Sequence, residues 1–349
     1  MLIGEARAAA REWVATRASR EHWFAGAYFT GSTVGLPDTA EVPLGSDTDV
    51  MVVTTDPEPP TKPGKFIHRG ALVEISLVAS AALENPEAVL GDYHLAGPFR
   101  ADTLIADPTG QLARLRATVA ERFTERAWVR RRYRHALGRA AEGLTRSAAL
   151  PAGPTAPDPG AVIGWLFPTG ITTHALLVAG LRNPTVRLRY LRVRELLAEH
   201  GLSTAYPPLL DALGCAELDA RSAEAHLAPL TDAFDAACAV SGTPFPFRSD
   251  ISPAARPIAL DATRELIRAG RQREVLFWLV ATYARCQMIL AADAPPERSE
   301  RHTPGFAALL ADLGVPSTAA LAARSRHTLR TFPSLTETCE TLLDAHAGP

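Results

Sequence analysis

The spacing of apolar residues changes once along this chain, close to residue 111, and that change limits the folds open to it. Before it, apolar and β-branched residues come in short runs at 27–30, 50–53 and 104–106, each bounded by turn-forming residues. "KFIHRGALVEISLV" alternates with period two on both sides of Arg69-Gly70 and reads as a hairpin. Beyond residue 111, Leu112, Leu115, Val119 and Phe123 fall on one helical stripe, which predicts a helix from 111 to about 144. After Gly160 almost everything reads as helix. The expected class is α+β: a small mixed sheet with flanking helices, then a larger all-α part.

At 349 residues the chain suits two domains of about 150 residues or more. The change of period sets them at 1–112 and 113–349. A proline-rich loop at 148–160 has the composition of a linker, and equally of an exposed loop within the helical part. An opening helix is expected over about 3–20. "RLRYLRVRELLAEHG" ends on a glycine stop signal, and "RELIRAGRQREVLFWLVATYARCQMILAAD" reads as a short helix, a glycine break and a long buried helix. "TPGFAALLADLG" offers Thr303 as N-cap and Pro304 as first helical residue.

Residues 161–181 lack Asp, Glu, Lys and Arg over about a membrane-spanning length. Pro168, Gly170, two threonines and His174 interrupt this stretch, the one of its kind that stands out, so a buried bundle helix kinked near Pro168 is expected. The N-terminus carries charges in its first turns and no apolar signal region. Cys215, Cys238, Cys286 and Cys339 form no CxxC pair and read as reduced thiols, which together predict a cytoplasmic protein without a membrane partner. Net charge is −2, with no basic stripe, which argues against nucleic acid as a partner. Of the 36 basic residues only Lys62 and Lys65 are lysines, so arginine abundance reflects coding bias more than phosphate binding.

The stretch that carries chemistry is "YFTGSTVGLPDTAEVPLGSDTDVMVV". Asp47 and Asp49 stand at i and i+2 where the chain enters an apolar run, so in a strand both carboxylates share one face. Such a pair is tolerable in water, or with a divalent cation between its members. Taken alone, Ser-Asp-Thr-Asp is also good turn chemistry. In the proposed hairpin Val73, Ile75 and Leu77 alternate with Glu74, which would add a third acid if the two strands are neighbours. Upstream, Gly31 lets backbone N–H groups approach an anion, Ser32 offers a hydroxyl, and a following helix would aim its N-terminus there.

These residues resemble the DNA polymerase β-like nucleotidyltransferase superfamily, over roughly residues 20–110. The resemblance implies Gly31 and Ser32 at the nucleotide-phosphate pair, Asp47 and Asp49 at the nucleotide and metal site, and Glu74 as third acid, ligand or general base. Asp250 and Glu274 are weaker candidates for that base. The gap between Ser32 and Asp47 is longer than usual for the family, with "LPDTAEVPLG" (36–45) as a loop insertion. An α/β part followed by helices looks most like the small-molecule, aminoglycoside-type branch. It implies a magnesium-dependent enzyme using two ions and ATP or another NTP. AMP would pass to a hydroxyl of a small molecule, an antibiotic-like or other natural product, with release of pyrophosphate. A protein-AMPylating enzyme of a toxin–antitoxin pair and an inactive nucleotide-binding scaffold are the alternatives. Some relatives build their pocket between two subunits, so a homodimer is an open partner.

Other residues have structural readings beside functional ones. His94, with Asp92 and Tyr93, reads as a polar loop after a helix. His174 reads as a satisfied core histidine, and Phe277 and Trp278 as core. "WVRRRYRH" (128–135) reads as a solvated helix face, with phosphate contact as its alternative. Phe245 and Phe247 are candidates to border an acceptor pocket.

Overall fold

A computed structural model describes residues 1–56, 61–151 and 153–346. It is α+β, as the change of period implies. The chain falls into two compact units. The first is Met1–Arg132 together with Phe245–Ile258; the second is Tyr133–Pro244 together with the chain from Ala259 onward.

The first unit opens with α1 (Ile3–Thr16), whose N-terminal Leu2 N–H donates to the Glu5 carboxylate. The strands are β1 (Phe24–Thr30), β2 (Thr48–Thr54), β3 (Gly64–His68), β4 (Ala71–Ala79) and β5 (Leu104–Ala106). They form one sheet in the order β3-β4-β2-β1-β5, antiparallel throughout except for β2 beside β4. Arg69 and Gly70, with φ of 47° and 81°, make the tight β3–β4 turn, the left-handed pair that matches strand twist. Ala6, Ala9, Ala10 and Val14 of α1 are buried with Val50, Val52, Val73 and Ile75 of the sheet. The alanines bring the helix close, and each fully buried Val or Ile contributes ~1.5–3 kcal/mol. α1 ends at Thr16 and a single 3₁₀ turn follows it, short of the expected residue 20.

After α2 (Pro86–Gly91) come α3 (Gln111–Arg122) and α4 (Arg126–Ala148). One helix from 111 to 144 was expected, and the chain breaks it at Phe123–Glu125. The break is held by Arg132, 1% exposed, which donates to the carbonyls of Leu90 and Phe123 and lies 4.0 Å from the Phe123 ring centroid. Residues 128–135 are a solvated face only on one side: Arg131 and Arg134 are exposed, while Trp128, Val129, Arg132 and Tyr133 are buried. The first unit also runs past residue 112 and takes in α3, the opening of α4 and the later return at 245–258.

The second unit contains α5 (Pro159–Ala179), α6 (Arg189–Glu199), α7 (Pro207–Leu213), α8 (Ala220–Ala225), α9 (Leu227–Val240), α10 (Ala262–Arg268), α11 (Gln272–Asp293), α12 (Pro296–Asp312), α13 (Thr318–Arg330) and α14 (Phe332–His346). α11 is buried on all sides by α5, α6, α9 and α12. Among the described residues two helices, α5 and α11, are long and apolar enough to cross a membrane, one more than the sequence pointed to; both are mostly buried, as core helices are. Phe277 and Trp278 are core, and His174 is buried with Nε2 2.9 Å from the Thr185 carbonyl. The proline-rich loop belongs inside this unit: Thr318 N–H donates to the Thr155 carbonyl and Ala319 N–H to that of Gly153. α12 starts at Pro296, not at Pro304, which lies inside the helix. Pro296 already fits a first helical turn, and the Pro304-Gly305 step is tightly placed, since a Cβ on Gly305 would meet Tyr283 Oη at 2.3 Å.

Candidate functional site

Strand register builds the site. Asp49 of β2 is opposite Glu74 of β4, Glu74 is opposite Lys65 of β3, and Thr30 at the end of β1 is opposite Asp49. In-register neighbours point to the same face, so Asp49, Glu74 and Lys65 form a row on the face away from α1. Asp47, two residues before Asp49, joins the same face just before β2 begins. One carboxylate oxygen each from Asp47, Asp49 and Glu74 lie within 4.8 Å of one another.

Gly31 ends β1 beside this row with φ 75°, and a Cβ there would lie 1.8 Å from Asp49 Oδ2. Glycine is required by the close approach of the carboxylate as much as by the backbone. Ser32 is exposed, and a turn follows it instead of the expected helix, closed by Leu36 N–H to the Thr33 carbonyl. No helix dipole therefore points out of this loop. The 36–45 insertion runs along the first turn of α1. Gly4 N–H donates to the Asp38 carbonyl and Ile3 N–H to that of Ala40. Arg7 donates to the carbonyls of Thr33, Val34 and Leu36, and pairs with the Asp38 carboxylate at 2.5 Å.

Two residues complete the cluster. Lys65 Nζ lies 3.0 Å from Asp47 Oδ2, 2.9 Å from Asp250 Oδ1 and in contact with Glu74 Oε2. Lys62 reaches Glu74 Oε1 at 3.2 Å. Asp250 arrives on the return segment Phe245–Ile258, in a 3₁₀ turn (Arg248–Asp250) seated on β3. Gly64 makes room for that turn, since a Cβ on it would meet Ser249 Oγ at 2.2 Å. Phe245 and Phe247 stack on the same segment, ring centroids 5.0 Å apart.

Burial pushes the Asp49 carboxyl well above its ordinary pKa, and the charges of Asp47 and Glu74 push it further. Burial likewise raises Asp47, with Lys65 opposing the shift. Burial alone would lower Lys65, but Asp47, Asp250 and Glu74 together hold its ammonium well above the usual lysine range. Buried like charges that resist ionisation are what a cation would relieve. The donor set fits a hard divalent ion, being all carboxylate oxygen, and an ammonium already stands on two of the three acids.

Lys65 escaped the sequence reading because a lysine on an edge strand is unremarkable. The signal was its rarity: both lysines of an arginine-rich chain contact Glu74. Glu274 is elsewhere, buried in α11 against Arg194 Nη1 at 2.7 Å and Tyr206 Oη at 3.2 Å. His94 is exposed in the loop after α2, where its N–H donates to Asp92 Oδ1. No protein-family model matches this chain, and no curated protein matches it.

Proposed function

We propose that the chain is a magnesium-dependent nucleotidyltransferase of the polymerase β-like type. It would move a nucleoside monophosphate, AMP from ATP first among the donors, onto a hydroxyl of a small molecule and release pyrophosphate. The observation that carries this reading is the convergence of Asp47, Asp49 and Glu74 on one sheet face, with Gly31 closed against Asp49.

Asp47, Asp49 and Glu74 would hold magnesium. When bound, the metal supplies positive charge to a triphosphate and acidifies a hydroxyl that it touches. The chain's own contribution is placement. The sheet fixes Asp49 and Glu74 by backbone pairing, so neither carboxylate has to be ordered when substrate arrives. Ser32, exposed next to Gly31, is free to turn its hydroxyl toward a phosphate oxygen. Glu74 is the acid best placed to accept the acceptor's proton, because it is within the cluster, whereas Asp250 lies on the far side of Lys65 from it.

The decisive experiment supplies ATP labelled at the α-phosphate, magnesium and a panel of aminoglycoside-like and other hydroxyl acceptors. Label on a small molecule, pyrophosphate release, and loss of both in Asp47→Asn and Asp49→Asn support the reading. Transfer that survives both substitutions overturns it. Label on a co-purified protein would instead indicate a protein-modifying transferase. One observation favours a second reading, a nucleotide-binding scaffold: Lys65 partly neutralises the acids. ATP binding without transfer to any acceptor would support it.

A further inference from the structure

We propose that Lys65 is the resident cation of this acidic cluster, so that the free protein takes one divalent ion beside it rather than two, and that Asp250 serves the site by holding Lys65 in place. The inference rests on the reading of Asp47, Asp49 and Glu74 as metal ligands.

The geometry is that of a filled position. An ammonium has three N–H donors, and Lys65 has three carboxylates to receive them: Asp47, Glu74 and Asp250. Its side chain is 7% exposed, between acids that are 11–15% exposed. A buried ammonium is tolerated only when it is paired this completely. Asp49 is the member of the triad that Lys65 does not pair with, so the open coordination lies on the Asp49 side, shared with the second oxygen of Asp47 and with Glu74, whose two oxygens also meet Lys65 and Lys62.

Charge gives the same count. Asp47, Asp49, Glu74 and Asp250 bring four negative charges when ionised, against two positive charges from Lys65 and Lys62. Among these six groups the difference is two charges, which one divalent ion matches. Residue type agrees as well. Arginine fills nearly every other basic position of the chain, but its planar fork does not fit a three-way carboxylate pocket, whereas a compact ammonium does.

Asp250 then has a defined task. It contributes no oxygen to the triad, and it draws the Lys65 ammonium toward the return segment, away from Asp49. Without that third carboxylate, Lys65 would rest entirely on the metal-binding acids and compete harder for them.

The test measures metal binding on the full chain without nucleotide. Mn²⁺ titration followed by electron paramagnetic resonance is applied to the wild type, Lys65→Gln, Asp250→Asn and the double variant. The expected result is one ion in the wild type. Lys65→Gln should bind a second ion, or the first about tenfold tighter. Asp250→Asn should bind several-fold more weakly than the wild type, an effect that vanishes in the Lys65→Gln background. Two ions in the wild type, or unchanged or weaker binding in Lys65→Gln, would overturn the proposal. So would an equal effect of Asp250→Asn in both backgrounds, because Asp250 would then act as a ligand itself.

Should Lys65→Gln not fold, the wild type still decides. With ¹⁵N at lysine Nζ the chain gives two signals, told apart by Lys62→Gln. The Lys65 ammonium should stay protected from solvent exchange as Mg²⁺ saturates; loss of its signal on Mg²⁺ addition overturns the proposal. Two ions with intact AMP transfer would sink the role of Lys65 alone. One ion without any transfer would sink the transferase reading alone.

Discussion

A Cβ on residue 31 would stand 1.8 Å from Asp49 Oδ2, so Gly31 and the second aspartate form one close-fitting unit. Gly31→Ala is therefore expected to act on chemistry more than on folding. The left-handed backbone at φ 75° costs an alanine ~1–2 kcal/mol. The methyl group must also push the Asp49 carboxylate out of the row, and a misplacement near 1 Å costs on the order of 100-fold in rate. Gly31→Ala should keep its far-ultraviolet circular dichroism while losing transfer and Mn²⁺ affinity together. Wild-type Mn²⁺ affinity in this variant would show that the contact does not position Asp49.

Asp49→Asn should separate stability from activity. Burial and two neighbouring carboxylates oppose the ionised form of Asp49. A neutral side chain of the same shape removes that opposition. In chelator at neutral pH the variant should melt ~1–2 °C higher, as a gain of about 1 kcal/mol implies for a protein of 349 residues. Its rate of pyrophosphate release should fall roughly 1,000-fold, the scale expected when a principal charge-stabilising group is lost. A lower melting temperature would contradict this electrostatic account.

The ion pair joining α1 to the β3–β4 turn sets an acid-dependent part of stability. Glu12 accepts from Arg69 and from His68, and the Arg69 bond first, then the His68 bond, hold its pKa at about 2. A carboxylate with a lowered folded pKa stabilises the fold above its unfolded value near 4.5 and loses that contribution as pH falls toward 2. Urea midpoints of wild type and Glu12→Gln should thus differ at pH 6 and converge near pH 2. Parallel curves across that window would refute the linkage.

Within α4, two glycines predict opposite outcomes for the same substitution. Nothing lies within 4 Å of a Cβ on Gly138, so Gly138→Ala should gain most of the ~1 kcal/mol by which alanine exceeds glycine in a helix. A Cβ on Gly143 would lie 2.2 Å from Pro168 Cγ, and the rigid ring does not yield cheaply. Overpacking of ~1–3 kcal/mol outweighs the propensity gain there. Thermal melts should rise for the first variant and fall for the second; a stabilised Gly143→Ala would mean that α5 shifts freely against α4.

The sheet was readable where local pattern decides the outcome. Alternation in β4 separated Val73 and Ile75 from Glu74, and Arg69-Gly70 marked its turn. The triad followed once β2 and β4 proved to be neighbours, a pairing that alternation suggests but does not dictate. What stayed hidden depends on residues distant in sequence. Asp250 sits in a turn with no periodicity, and its meeting with Lys65 arises from a return of the chain that composition does not announce. The break before α4 escaped for a similar reason, because the Phe123 carbonyl is satisfied by a side chain, Arg132, from within the following helix. Pro304 misled in the other direction: Thr-Pro is a good start signal, and a helix already begun at Pro296 simply runs through it.

The return at Phe245–Ile258 also imposes an order on synthesis. All five strands leave the ribosome before α5 is made, but Asp250 follows only after α9. At ~5–20 residues per second, the span between the two parts of the first unit takes roughly 5–20 s to translate. A sheet that forms in that interval has Lys65 facing Asp47 and Glu74 without its third carboxylate, and β3 without the turn that seats on it. Completion of the cluster waits on helices that belong to the other unit.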